Sequence, residues 1–231
     1  MNADASNVVA SSYRPPNRRG LLELYLPIVG LLFLVTLAAL EGHIPLSRMT
    51  RDMAALAKVH PFTGVVSNVG ILLWCATAAI CLFSSSLLRQ RGAHPEARFL
   101  LWAGLMTTAL LFDDFFMFHE YLAPVHFHIN EKAVHASYFC VTAVYLLRNR
   151  RVILEASYQL LAAALVLFAG SILFDLAGGH SWWILGEDGC KILGIASWFA
   201  YHAGRARYWL VQAPVVQSQA TNGMGSWRRR R

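Results

Sequence analysis

The chain is built from long apolar stretches separated by short polar ones. A helix that crosses a bilayer needs about 20 mostly apolar residues. Six stretches approach that length: Leu21 to Leu40, Phe62 to Leu88, Phe99 to Phe118, Glu131 to Leu147, Ile153 to Leu176 and Trp182 to Leu210. The fourth is the shortest and the most polar. The first is too long for the h-region of a secretory signal, about 7–15 residues, and is expected to be retained as a helix. The pattern predicts an all-α, polytopic transmembrane bundle of about six spanning helices.

The polar segments complete this organisation. Residues 1–20, rich in Ser, Asn, Pro and Arg, are expected to be a flexible tail, and residues 211–231 a second, basic one. The transmembrane domain is expected over 21–210. Within 45–60, Leu46, Met49, Met53, Leu56 and Ala57 recur at helical spacing, with Arg48, Arg51, Asp52 and Lys58 off that stripe. That pattern predicts a short amphipathic helix lying on the membrane surface.

Composition strengthens the membrane reading. Hydrophobic residues make up 56% of the 231 and charged residues 14%, well below the roughly 25% typical of soluble domains. Mean hydropathy is +0.44. A disordered chain, an ordinary soluble enzyme and a nucleic-acid-binding module are thereby excluded as expectations. The net charge of +7 dissolves into the loops. Fifteen of the twenty basic residues, among them Arg14, Arg89, Arg148 and Arg228 to Arg231, fall on one side of the six-span topology. The positive-inside rule then puts both termini in the cytoplasm and suggests a bacterial inner (plasma) membrane location. Membrane lipids are the expected partners, since a basic tail beside a bilayer is attracted to anionic lipid. The four cysteines form no Cys-x-x-Cys pair and read as small apolar residues.

Acids distribute in the opposite sense. Nine of the thirteen, and seven of the nine histidines, fall on the side away from the arginines. Asp113, Asp114 and Asp175 lie inside apolar stretches, where an acid costs about 2.5–3.5 kcal/mol on insertion scales and normally faces the bundle interior with a partner. Helical spacing lines up Glu131, His135, Tyr138, Thr142 and Tyr145 on the fourth span, and Glu187, Lys191, Gly194, Trp198 and Tyr201 on the sixth, with Asp188 at the edge. On the third, Asp113, Met117 and Glu120 align, with Asp114 and His119 pointing elsewhere, if the helix continues; the alternative is a helix that ends near Phe118. Ser157, Ser171 and Asp175 share a stripe on the fifth.

Three functional classes fit such a convergence. The first is a membrane-embedded, metal-assisted hydrolase of lipid-like or periplasmic substrates. Carboxylates and imidazoles suit a divalent metal such as zinc or iron. Glu131, His135, His119 and Asp114 are the candidate ligands. Asp113, Asp114, Glu120, Asp175, Glu187, Asp188 and Lys191 are the candidate acid–base and electrostatic groups, with Lys191 placed for an anionic substrate group. The second class is a proton- or cation-coupled transporter, and the third a non-enzymatic scaffold, sensor or accessory subunit whose buried charges serve packing. His126 and His128, either side of Phe127, read first as exposed loop histidines. Gly194 reads as a point of close helix approach.

Two runs carry a resemblance. Leu111-Phe112-Asp113-Asp114-Phe115-Phe116-Met117-Phe118-His119-Glu120 and Glu187-Asp188-Gly189-Cys190-Lys191-Ile192-Leu193-Gly194-Ile195-Ala196-Ser197-Trp198 resemble runs in small bacterial membrane proteins of unassigned function. Ser67-Asn68 is faintly similar to the alkaline-ceramidase-like superfamily of membrane hydrolases, which hold zinc inside a seven-helix bundle. Against that superfamily this chain has six expected spans, no Ser-x-x-x-His and no late His-x-x-x-His, so no catalytic residue carries over.

Overall fold

A computed structural model describes residues 18–155, 157–177 and 181–212. The two expected tails, and His180, lie largely or wholly outside them. All regular structure among the described residues is helical. Six helices have 18 residues or more: α1 (Arg18–Glu41), α4 (Val65–Gln90), α5 (His94–Phe116), α7 (Glu131–Arg148), α9 (Gln159–Ala177) and α10 (Ser181–Gln212). Short helices fill the connections: α2 (Leu46–Thr50), α3 (Met53–Ala57), α6 (Ala123–Phe127) and α8 (Arg150–Leu154), with a π-helical turn over Phe118–Leu122. Two of the helices, α4 and α5, are long and apolar enough to cross a membrane.

The chain divides into two compact units, residues 1–63 and 64–231. The first unit contains α1 to α3. The expected amphipathic helix over 45–60 is here two five-residue helices, because Asp52 ends the pattern. Its Oδ1 accepts from the Ala55 N–H at 3.0 Å and caps α3. A side chain that caps a new helix cannot also sit in the middle of an old one.

The second unit opens at Gly64, whose φ of +70° suits glycine at the N-cap of α4. Here α4 packs against α5 and α10, and α9 packs against α10. The core runs through Trp74, Cys81, Leu88, Phe99, Leu100, Leu161, Ile195 and Trp198. Buried positions on α4 (Gly70, Trp74, Thr77, Cys81, Ser84, Leu88) follow helical spacing and form one stripe. Two polar ties hold this core. Ser85 donates to the Ala97 carbonyl at 2.6 Å, joining α4 to α5. Arg91, after α4, donates to the Leu210 carbonyl at 2.7 Å and satisfies a carbonyl in the last turn of α10. Gly194 is the seam between α9 and α10: a Cβ there would meet Phe168 Cε1 at 2.7 Å.

Candidate functional site

The site is made by the end of α5. The helix stops at Phe116, and Met117 takes a left-handed conformation with φ of +50°. A side chain there costs roughly 1–2 kcal/mol relative to the right-handed helix. The reversal brings the chain back over its own last turn. The His119 N–H donates to Asp113 Oδ1 at 2.9 Å, and His119 Nδ1 lies 2.6 Å from Asp113 Oδ2. Asp113, 5% exposed, thus engages His119, six positions on, through both carboxylate oxygens, and also hydrogen-bonds Tyr138 of α7. The expected alignment of Asp113, Met117 and Glu120 on one continuous helix gives way to this hairpin.

The hairpin orients His119. With the proton on Nδ1 and held by Asp113, Nε2 faces outward. Glu120 Oε1 is 3.5 Å from it, and the His135 ring centroid is 4.8 Å from that of His119. One turn before His135 on α7 stands Glu131, at the i, i+4 spacing that puts both on one face. Ligand atoms of His119, Glu131 and His135 all lie within 4.8 Å of one another. Burial disfavours a charged His119, but the hydrogen bond and charge of Asp113, helped by Glu120, outweigh it and raise its pKa above the ordinary imidazole value.

A second group forms beside the first. Lys191 Nζ of α10 is 2.9 Å from Asp114 Oδ1, and Trp74 Nε1 of α4 donates to Asp114 Oδ2 at 2.8 Å. Asp114, expected among the metal ligands, is therefore engaged elsewhere. Successive helical residues point about 100° apart, so Asp113 turns to the hairpin and Asp114 to α4 and α10. A cavity of about 120 Å³ here is lined by Ser67, Asp114, Glu120, Glu187, Asp188 and Lys191, among others. Lys191 is matched by Asp114, and three further carboxylates share the cavity. Its surroundings favour cations, not the anionic substrate group expected from sequence.

Asp175 lines neither cavity, but its charge acts on Glu187 of the second group. It is exposed on α9 and makes no ion pair among the described residues. Its stripe partner Ser157 lies before α9 begins, so the expected stripe is interrupted. His126 and His128 are exposed and stand outside the His119 group. Two participants were not singled out from sequence. Trp74 was hidden in an apolar run, although its spacing from Ser67 and Gly70 (i+7, i+4) places it on their face. Tyr138, noted only as part of a stripe, lines a larger cavity with Asp113.

The rest of the α7 and α10 stripes turns inward. Thr142 Oγ1 approaches Met106 Sδ at 3.8 Å. Tyr145 O–H meets His202 Nε2 at 3.1 Å, while His202 Nδ1 faces the Trp198 carbonyl at 2.9 Å. Trp198 Nε1 donates to Thr107 Oγ1 at 3.0 Å.

Comparison with known proteins yields one match. Residues 25–204 match the family described as Domain of unknown function (DUF8692), which covers most of the chain, and the protein belongs to that family. No curated protein and no solved structure matches. The likeness to ceramidase-like hydrolases finds no support there.

Proposed function

We propose that this member of the DUF8692 family is a membrane-embedded, metal-assisted hydrolase of lipid-like substrates, with its centre at His119, Glu131 and His135. The observation that carries the reading is the convergence of those three side chains, with Asp113 fixing the far nitrogen of His119. A carboxylate that accepts from a ligand imidazole sets its tautomer and ring orientation, and is the usual outer partner of a metal histidine. Two imidazoles and one carboxylate suit zinc or iron(II) and leave a coordination position open for water. His119, Glu131 and His135 would hold the ion, and the ion would supply an activated water.

Glu120 supplies the base. Its carboxylate lies beside His119 Nε2, on the ligand side of the ring. In ester or amide hydrolysis the water oxygen bonds to the carbonyl carbon and the bond to the leaving oxygen or nitrogen breaks. Glu120 takes the water's proton and returns it to the leaving group.

Membrane immersion is supported by the surface. Leu72, Phe139, Val166, Leu173 and Val211 are each at least 67% exposed, and such a surface on unrelated helices calls for an apolar medium. Together with α4 and α5, it supports membrane immersion; six spans with both termini cytoplasmic in a bacterial inner membrane, and a centre near the opposite face, are read from the apolar stretches and the arginine distribution alone.

The test is metal content by mass spectrometry of the detergent-purified protein and of a Glu131→Ala, His135→Ala variant. Near-stoichiometric zinc or iron lost in the variant is the expected result. Equal, trace metal in two folded samples overturns the reading. With metal established, Glu120→Gln should retain it and lose hydrolysis in a screen of lipid esters and amides.

A further inference from the structure

A cavity of about 290 Å³ opens beside the hairpin, between α5, the π-helical turn and α7. Ala109, Phe112, Phe116, Phe118 and Leu122 form its apolar walls. Asp113 and Tyr138 are its two polar residues. Its walls continue onto a face where Phe112, Phe115 and Phe116 are each at least half exposed.

We infer that this groove holds a single acyl chain of a membrane lipid and presents the chain's carbonyl end to the metal centre. The inference rests on the hydrolase reading for its catalytic meaning. Three observations select the occupant. Five of the seven lining residues are apolar, and an apolar surface takes apolar guests. Its volume sits at the lower end of ligand pockets, roughly 300–1,000 Å³, which suits one narrow chain and not a folded headgroup. The polarity is graded, because the polar residues are the carboxylate that positions His119 and a phenol. The Tyr138 hydroxyl hydrogen-bonds Asp113, so the two polar groups satisfy each other and mark the end of the groove nearest His119, where the polar end of a chain would lie. The neighbouring acidic cavity around Asp114 and Lys191 does not compete for such a chain, since hydrocarbon there would strip water from charged groups without replacing its hydrogen bonds.

The experiment uses the full-length protein in vesicles of phosphatidylethanolamine and phosphatidylglycerol, doped with a lipid bearing a diazirine on its acyl chain. Crosslinks are mapped by mass spectrometry in the parent and in Ala109→Phe, with Ala109→Leu as a milder filling. Ala109 is exposed, so both side chains can enter the groove without disturbing the core. Labelling concentrated on residues 112–122 and 138, reduced about tenfold in Ala109→Phe, supports the groove. Labelling spread evenly around the helices, or unchanged by both substitutions, overturns it. Metal content of the same samples judges the centre separately. Metal retained without selective labelling removes the groove alone, and selective labelling without metal removes the hydrolase reading alone.

Discussion

His119 and His202 are both shielded from solvent, on the same unit, and they end up with opposite chemistry. His202 is fully buried, and each ring nitrogen faces a protein partner, Tyr145 and the Trp198 carbonyl. Phe99, Tyr145, Trp198 and Tyr201 surround it. Nothing is left for a ligand. His119 has one nitrogen held by Asp113 and the other turned toward Glu120 and His135. Burial does not decide whether a histidine is structural or reactive; the number of nitrogens left unspent does. The contrast also weighs against a transporter. A proton path needs groups that can exchange partners, and His202 has both ring nitrogens taken inside an apolar core, with the neighbouring Tyr201 hydroxyl buried without a partner.

The sharpest way to break this comparison is to remove the closed histidine. His202→Ala leaves a cavity and an orphaned Tyr145 hydroxyl, and should lower stability by about 3–5 kcal/mol. Thermal unfolding in detergent measures it, with metal content unchanged in the folded fraction. A stable variant that has lost its metal would abolish the distinction between the two ends.

Gly194→Ala probes the seam that both ends share. The new Cβ displaces Phe168, and a loss of about 1–3 kcal/mol is expected, read from the same unfolding experiment. A neutral effect would mean that α9 gives way more easily than its packing implies.

Asp113→Asn sharpens the other side. The amide preserves shape but holds His119 less firmly and favours the wrong tautomer. Metal affinity should fall about 10–100-fold in a competitive chelator titration. The unfolding midpoint should move less than in His202→Ala. An unchanged affinity would deny Asp113 its orienting role.

The smallest effect belongs to the Lys191–Asp114 pair. Lys191 is 37% exposed, so solvent screening limits the coupling to about 0.2–1 kcal/mol. A double-mutant cycle with Lys191→Met and Asp114→Asn reads it. A markedly larger coupling would place the pair among the structural elements that hold this end together.

Much of the architecture was legible because it depends on spacing. The stripe Glu131, His135, Tyr138, Tyr145 and the stripe Lys191, Gly194, Trp198, Tyr201 follow from 3.6 residues per turn, and the structure turns both inward. The small residue at Gly194 announced a close approach before Phe168 could be named. An end of the third helix near Phe118 is among the readings of the sequence, but the reversal at Met117 was not legible, because no glycine or proline marks it and the left-handed conformation is carried by an ordinary side chain. A helix continued past Phe118 sends His119 away from Asp113, when the reversal puts it on top.

The sequence by itself determined that the chain is helical and strongly apolar, and that acids and histidines recur at helical spacing within its apolar stretches. Those properties are set by composition and helical period, which are local. Only the tertiary structure decided which acid serves which partner. Asp113 and Asp114 are chemically identical neighbours, yet one orients an imidazole and the other receives a lysine and a tryptophan. That division depends on a 100° turn of the helix, on a reversal one residue beyond its end, and on α4 and α10 arriving from more than 35 positions away in the chain. No local pattern records where such distant side chains will meet.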